Sequence, residues 1–205
     1  MPKSKRRIKR KEAKKTVHRV KKNKRVKKVT RKKVQPKKLP AKLPALVAGF
    51  LKKTKARFEA LGHKTVFTAF DAAQTLKVDL GSVGKTLVLQ DGGDTIVAVV
   101  PASHNVDLKA LAKAVTAHRA RHGKPRVGKL KFASERVIKS RLKAVPGAVP
   151  PFGPLHGLET FVDKRLTKPR SIIVSGGSFQ TSLSMMPAEL LRLSQAVVGS
   201  FSSAR

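Results

Sequence analysis

Charge is divided unevenly along this 205-residue chain, and the division limits which part of it can fold. Residues 1–44 contain 22 lysines and arginines but a single acid, Glu12. They have no aromatic residue and no sustained apolar period, so apolar burial could not offset the entropy lost on ordering them. We therefore expect residues 1–44 to be a disordered basic arm ending in a proline-containing linker, and residues 45–205 to fold.

The composition indicates an anionic partner. A formal net charge of +36 exceeds what solubility requires, and it favours nucleic acid, whose phosphates attract Lys and Arg in any sequence. The arm could also be a nuclear import signal, because Lys/Arg runs serve both purposes. The chain has no cysteine, which excludes a thiol nucleophile and a disulfide framework. With no apolar run of about 18 residues and no signal-peptide pattern, we expect a cytoplasmic protein without a membrane partner.

Apolar spacing and turn residues from Ala45 onward predict an α+β domain with a mixed, largely antiparallel sheet flanked by helices. The clearest element is a hairpin that turns at Asp91-Gly92-Gly93-Asp94. The other predicted elements are a helix over 45–62, a strand over 65–68, a helix over 72–78, a helix from Leu108 capped by Asn105 or Asp107, strands near 127–132, 159–163, 171–175 and 179–184, and a last helix from Pro187 that includes Val197.

Lys85 is an unusual residue to find at the start of this apolar hairpin, because an unpaired ammonium is costly to bury. Two glycine-containing segments, over residues 147–153 and 174–177, have the composition of loops that let the backbone approach a ligand. A lysine and two such loops predict a binding site. The alternative is a lysine whose stem packs while its ammonium reaches water, beside two ordinary turns.

Two other motifs give weaker indications of a site. Gly84-Lys85-Thr86 resembles the end of a phosphate-binding P-loop, but Asp79 stands where that loop needs glycine and a strand follows where it needs a helix. His118 and His122 are four residues apart, as metal ligands on one helix face can be. Arginines lie between them and oppose a cation, so a solvated helix end is the preferred interpretation.

Several segments of the chain, taken in order, resemble the YbaK-type family of prolyl-tRNA synthetase-associated editing domains. The resemblance runs from about Leu46 to Val198 and leaves out the basic arm. The segments that carry it are Lys85-Thr86-Leu87-Val88-Leu89, Val97-Ala98-Val99-Val100-Pro101, Val106 to Ala114, Gly147-Ala148-Val149-Pro150-Pro151-Phe152-Gly153, Phe161-Val162-Asp163, Val174-Ser175-Gly176-Gly177 and Pro187 to Leu193.

The resemblance implies a hydrolase that removes a wrong amino acid from tRNA without a cofactor. It implies mischarged aminoacyl-tRNA as the substrate, the arm as an addition to tRNA affinity, and a synthetase or the ribosome as candidate partners. It gives Lys85 the place of the family's essential lysine. The residues implied to bind substrate are Gly147, Ala148, Val149, Pro150 and Pro151 in a glycine-x-x-x-proline loop, and Gly176 and Gly177, the glycines that line the pocket.

The chain departs from the family pattern at two places. Leu142-Lys143 stands where members often have Thr-Gly, and Phe179 stands where many have a histidine. The first departure and the large basic arm motivate an alternative from another class, a non-catalytic RNA-binding or ribosome-associated protein that keeps the editing fold. A DNA-compacting protein is a third alternative, in which the arm matters most.

Overall fold

The computed structural model describes residues 41–204. The predicted arm therefore lies outside the described residues, except for its last four. These four contact the domain, because Thr181 Oγ1 donates a hydrogen bond to the Lys42 carbonyl at 3.0 Å and Leu43 packs against the core. The segment predicted as a linker thus joins the fold at residue 42.

The described residues form an α+β domain, as predicted. The helices are α1 Ala45–Lys53, α2 Ala69–Leu76, α3 Leu108–Arg121, α4 Glu135–Arg141 and α5 Pro187–Ser194. The strands are β1 Glu59–Gly62, β2 Gly84–Asp91, β3 Asp94–Pro101, β4 His104–Val106, β5 Lys131–Phe132, β6 Glu159–Asp163, β7 Ile172–Ser178, β8 Thr181–Met185, β9 Val197–Gly199 and β10 Ser202–Ala204.

The central sheet is mixed and has five strands in the order β5-β2-β3-β6-β9. In it β6 runs parallel to β3 and to β9, while the other pairs are antiparallel. A second, antiparallel sheet has the order β1-β8-β7, and β4 pairs with β10. A bridge between Val83 and Ile173 joins the first two sheets, so β2 and β7 lie side by side at one end and enclose space further along.

Helices cover both faces of the central sheet. Alternate residues of β3 point to opposite sides, so Val97 and Val99 pack with α1 and α5 whereas Ile96 and Ala98 pack with α3. The hairpin of β2 and β3 is confirmed, with Asp91 paired to Asp94. These buried contacts hold β2 in place while its first residues remain at an edge.

The helix predicted over 45–62 is wrong beyond Lys53. Thr54 Oγ1 donates to the Phe50 carbonyl at 2.8 Å, Lys55 takes a left-handed φ of 49°, and the chain leaves the helix there. Of the apolar residues that follow at helical spacing, Phe58 directly precedes β1 and Leu61 belongs to it, and β1 pairs with β8. Long-range pairing, which local spacing does not encode, decides their structure.

Other predicted elements differ more narrowly. Residues 65–68 form a loop, in which Thr68 caps α2 through a reciprocal pair of hydrogen bonds with Asp71. The strand expected near 127–132 is reduced to β5. Helix α4 has no counterpart among the predictions, although Ser134 caps it. Gln195 ends α5 with a left-handed φ of 48°, so Val197 lies in β9 rather than in the last helix.

Candidate active site

A pocket of about 460 Å³ lies where β2 separates from β7. Its walls come from the start of β2, the N-terminal half of α2, the loop at residues 147–149 and the strands β7 and β8. Its volume falls within the roughly 300–1,000 Å³ typical of small-molecule sites. The pocket is therefore large enough to bind a ligand rather than a single water.

Lys85 lies at this pocket because the sheet leaves part of β2 uncovered. The neighbouring strand β5 pairs only with Leu89 and Gln90, so residues 84–87 form an edge, and they line the pocket. The half-buried Lys85 donates from Nζ to the His104 carbonyl at 3.1 Å. This bond from β4 holds the ammonium at one place beside the pocket.

Thr86 is also on this edge. Its Oγ1 is buried and has no hydrogen-bond partner among the described residues. A buried hydroxyl without a partner is costly, and this one belongs to a residue that lines the pocket. A ligand with a polar group could therefore gain a hydrogen bond there.

The glycine loop forms the wall opposite β2. Gly147 has φ +85°, and a Cβ atom there would lie 3.2 Å from Phe179 Cε1, so glycine is needed both for the backbone angle and for space. Ala148 and Val149 line the pocket with it, whereas Pro150 and Pro151 are buried and are not part of the lining.

Ser175 connects this loop to β7. Its Oγ donates to the Ala148 carbonyl at 2.8 Å and accepts a hydrogen bond from the Gly177 backbone N–H at 3.1 Å. One hydroxyl therefore sets the position of the glycine loop relative to the irregular end of β7. The sequence indicated these two segments as separate loops, and the structure brings them together.

Gly176 and Gly177 do not lie where the family resemblance implies, which is in the pocket lining. They are buried and absent from its lining. A Cβ at Gly176 would lie 2.9 Å from the Thr181 carbonyl oxygen and 3.1 Å from Leu43, and one at Gly177 would lie 3.1 Å from Val47. These glycines allow the segment that leads into α1 to pack closely on β7, behind the pocket.

The pocket also contains a histidine that the sequence did not single out. His63 is buried, with Nδ1 2.8 Å from the Lys64 carbonyl and Nε2 2.9 Å from Ser182 Oγ. Because the carbonyl can only accept, Nδ1 carries the proton and Ser182 donates to Nε2. His63 and Ser182 are 119 residues apart in the chain and meet only through the β1–β8 pairing, so no local motif indicated them.

Aromatic rings form the rim of the pocket. Phe67 is 68% exposed and Phe70 44% exposed, and the rings of Phe67 and Phe179 contact each other with centroids 5.1 Å apart. Phe179 stands where many members of the family that the sequence resembles have a histidine. Exposed rings at the entrance offer flat apolar faces on which a planar ligand group can stack.

The titratable side chains that line the pocket are all basic. Within the described part of the chain, Lys85 and His63 are its titratable lining residues, and no carboxylate lines it. A cation in the lining favours a ligand that carries negative charge or develops it during reaction.

The departure at Leu142-Lys143 does not reach this pocket. Leu142 is fully buried in the core and Lys143 is exposed, with a left-handed φ of 48° just after α4. Neither residue is part of the pocket lining. The position is used for packing and for the end of the helix.

The sequence profile of the aminoacyl-tRNA editing domain matches residues 63–193, which include the β2 edge, the glycine loop and both strands behind them. The chain belongs to the aminoacyl-tRNA editing domain family. This confirms the resemblance stated from the sequence. The pocket is thus formed almost entirely by the part of the chain that the family shares.

Solved structures share the fold of this editing domain. A protein proposed to be a trans-editing enzyme for prolyl-tRNA synthetase is 22% identical, with a TM-score of 0.65 over 80% of this chain and 100% of that one. A hypothetical protein is 22% identical, with a TM-score of 0.64 over 77% and 99%. A scaffold protein from computational epitope grafting is 21% identical, with a TM-score of 0.65 over 78% and 96%.

No curated protein is significantly similar to the chain in sequence. Among the helices at residues 41–204, none has the length and apolar character needed to cross a membrane.

Proposed function

We propose that the protein is a trans-editing hydrolase that removes the amino acid from mischarged aminoacyl-tRNA. The observation that supports this most directly is that Lys85 and the glycine loop at 147–149 line the same pocket. Membership of the editing domain family makes an aminoacyl ester the natural substrate. The chain supplies a fixed cation and close backbone approach, which such a substrate can use.

Lys85 acts by charge and position in this proposal. Its ammonium, held by the His104 carbonyl, binds the terminal phosphate of the tRNA or the oxygen of the ester carbonyl. Negative charge grows on that oxygen as the carbonyl is attacked, so a cation placed nearby lowers the barrier. The ammonium does not form a covalent bond with the substrate.

Hydrolysis needs only a water molecule as nucleophile. The water oxygen attacks the ester carbonyl carbon, the bond from that carbon to the ribose oxygen breaks, and a proton from the water passes to the ribose oxygen. Free amino acid and intact tRNA result. The glycine loop, held by Ser175, orients the ester toward the water, since orientation supplies a large part of such rate enhancement.

The shape of the pocket agrees with the end of an aminoacylated RNA. Exposed rings at the rim, from Phe67 and Phe70, provide stacking surfaces for the terminal base, as aromatic side chains do in many RNA-binding proteins. Gly147 to Val149 then lie against the amino-acid side chain. Discrimination by size in such a pocket gives roughly 10–200-fold selectivity per methylene.

The basic arm adds tRNA affinity in this proposal. It enters the domain at Lys42, whose carbonyl accepts a hydrogen bond from Thr181, and Thr181 lines the pocket. A polycation joined to the domain adds phosphate contacts to those made at the pocket. A synthetase or the ribosome remains a candidate partner for delivering the substrate.

A panel of tRNAs mischarged with alanine, cysteine, serine or threonine tests the function. The purified full-length protein should release at least one of these amino acids faster than buffer does. Release of none of them, with tRNA binding retained, would favour the alternative of an RNA-binding protein that keeps the editing fold without activity.

A further inference from the structure

A second basic region lies in the described part of the chain, outside the pocket. Between Arg121 and Lys143 the chain has nine basic residues and a single acid, Glu135. We call the exposed part of this segment the β5–α4 surface. Its basic residues are all exposed: Arg121, Lys124, Arg126, Lys129, Lys131, Arg136, Lys139, Arg141 and Lys143.

Few of these basic side chains have an ion pair or a hydrogen bond within the described part of the domain. Lys124 pairs with Glu159 at 2.7 Å, and Lys139 pairs with Glu135 at 3.1 Å. Arg141 donates to the Gly93 carbonyl at 2.8 Å. For the other six basic residues of the surface, residues 41–204 provide no ion pair.

Two acids of the β2–β3 hairpin, Asp91 and Asp94, have partners outside the exposed cations of this surface. Asp91 accepts a hydrogen bond from the Gly128 backbone N–H at 2.8 Å, and Asp94 pairs with Arg119 at 3.1 Å. Within the described residues, neither carboxylate forms an ion pair with a lysine or arginine of the surface. The surface therefore keeps a strong positive charge that folding does not require.

An exposed aromatic residue lies within this charge. Phe132 is 58% exposed although it belongs to a strand, and its neighbour Lys131 on β5 is exposed as well. A two-residue edge strand that exposes both side chains contributes little to the core. A large apolar ring among cations is a common arrangement in proteins that bind RNA by phosphate contact and base stacking.

Two short stretches of chain connect the β5–α4 surface to the pocket. Phe132 of β5 is paired with Leu89 of β2, and Lys85 lies four residues earlier on that strand, about 13 Å away at the usual rise per residue. At its other end the surface follows α4 to Lys143, four residues before Gly147. An RNA bound there could reach the pocket with a few unpaired nucleotides.

We propose that the β5–α4 surface binds the phosphate backbone of the tRNA stem whose 3′ end enters the pocket. The choice of tRNA as the ligand rests on the proposed function. The spread of cations along a strand and a helix fits a regular row of phosphates, and Phe132 contacts a base or sugar beside them. This surface lies in the folded domain and acts separately from the arm.

A charge-neutralised variant tests the surface. In the full-length protein, Arg126→Gln, Lys129→Gln and Lys131→Gln are combined, and affinity for uncharged tRNA is measured by fluorescence anisotropy over a range of salt. Each lost phosphate contact should reduce the slope of log affinity against log salt by about 0.7–0.9. We expect a slope smaller by about 2 and a roughly 10–100-fold loss of affinity at low salt.

The matched control is Lys52→Gln, Lys53→Gln and Lys55→Gln, which removes the same number of charges. These residues are exposed, and Thr54 between them accepts a hydrogen bond from Arg192 of α5 through its carbonyl. Because α5 leads into β9, the edge strand opposite β5, the control lies away from the β5–α4 surface and outside the pocket lining. The control should change affinity less than about 3-fold, as loss of general charge alone would. Equal losses in the two triple variants would overturn the proposal.

Two further measurements identify the partner. Phe132→Ala should lower tRNA affinity several-fold without changing the salt slope, because it removes an apolar contact rather than a charge; an unchanged affinity would contradict the role given to Phe132. A loss of affinity for duplex DNA equal to that for tRNA in the first triple variant would overturn the assignment to RNA.

The outcomes separate this surface from the proposed function. Binding of uncharged tRNA requires no hydrolysis. If the wild type deacylates no substrate but the first triple variant alone loses tRNA affinity, the proposed activity is wrong and the proposed tRNA-binding surface is supported. If the wild type deacylates mischarged tRNA but both triple variants bind tRNA equally well, the proposed activity is supported and the proposed tRNA-binding surface is wrong.

Discussion

At the scale of single residues, the pocket depends on a few positions where only one residue type fits. Lys85 and Gly147 could be predicted because the lysine is unusual in its strand and the glycine belongs to a recognisable ordered set of segments. His63 and Ser182 could not, since their contact depends on two strands distant in sequence. The family resemblance implies that Gly176 and Gly177 line the pocket, whereas they lie outside its lining; the sequence does not reveal which side of a loop faces a ligand.

Gly147→Ala should destabilise the protein and narrow the pocket. The φ of +85° is strained for alanine, and the added Cβ would press on Phe179 at 3.2 Å. We expect the free energy of unfolding to fall by about 1–3 kcal/mol, together with slower deacylation. Urea denaturation and a deacylation assay on the same preparation measure both effects.

Gly123→Ala provides the control for backbone strain. Gly123 has φ +63° and open space where a Cβ would lie, so its substitution should cost about 1 kcal/mol and leave deacylation unchanged. If Gly147→Ala costs no more than Gly123→Ala and deacylates equally fast, the tight contact between the glycine loop and Phe179 has no consequence for the site.

At the scale of secondary-structure elements, local sequence patterns correctly predicted the elements whose structure depends on local contacts. The β2–β3 hairpin has its glycine turn, and α3 has Asp107, whose Oδ1 accepts from the N–H groups of Lys109 and Ala110. Elements decided by distant partners were missed or misassigned. Leu61 continues the helical spacing of α1 but lies in β1, which pairs with β8. Strands β9 and β10 likewise form by pairing with β6 and β4.

Ser175→Ala should loosen the glycine loop from β7. It removes the donor to the Ala148 carbonyl and the acceptor for the Gly177 N–H, at a cost of about 1–2 kcal/mol in unfolding free energy. We expect kcat for deacylation to fall, because the loop orients the ester. Steady-state kinetics on one mischarged tRNA would measure this.

Ser171→Ala is the matched control for the loss of a serine hydroxyl. Ser171 is exposed, and its Oγ lies 3.0 Å from Ser184 Oγ, away from the glycine loop. Its substitution should change stability by less than about 0.5 kcal/mol and leave kcat unaltered. The same kcat in the two serine variants would contradict a positioning role for Ser175.

At the scale of the whole molecule, the charge division predicted a folded part and a basic part, and the described residues agree with an α+β domain from residue 42 onward. The topology of the sheets could not be read from the sequence. Strand β6 pairs in parallel with β3 and with β9, and long stretches of chain connect these strands. The periodicity of apolar residues does not specify such pairing.

Deleting residues 1–40 should weaken tRNA binding and reduce its salt dependence, because the deletion removes many phosphate contacts. The truncated protein keeps Lys42 and the residues that pack on Gly176 and Gly177, so its free energy of unfolding should be close to that of the wild type. Anisotropy titrations at several salt concentrations test this. An unchanged salt slope would indicate that the arm serves localisation or a different partner.

Stability should decrease as the pH falls below about 6.5. Burial lowers the pKa of His156 from its usual value of 6.5, and burial, followed by the charge of His122, lowers the pKa of His118. Both groups therefore bind protons more readily when unfolded, so the part of the unfolding free energy that they contribute at neutral pH is lost as the pH falls from about 6.5 through their folded pKa values.

Substitution of His156 by glutamine should reduce that pH dependence. His156→Gln removes one of the two groups, so urea denaturation at pH 7 and pH 5 should show a smaller difference in unfolding free energy for the variant than for the wild type. A difference of the same size in both proteins would mean that His156 does not contribute.

The central claim is that Lys85, at the edge of β2, promotes hydrolysis of an aminoacyl ester held against the glycine loop. The most direct measurement is the rate at which a mischarged tRNA, chosen from those that the wild type deacylates, loses its amino acid in the presence of Lys85→Ala. Lys113→Ala, an exposed lysine of α3, serves as the control. We expect Lys85→Ala to keep the wild-type circular dichroism spectrum and tRNA affinity within about 3-fold while its rate falls to that of buffer, and Lys113→Ala to react like the wild type. Turnover by Lys85→Ala at the wild-type rate would contradict the account.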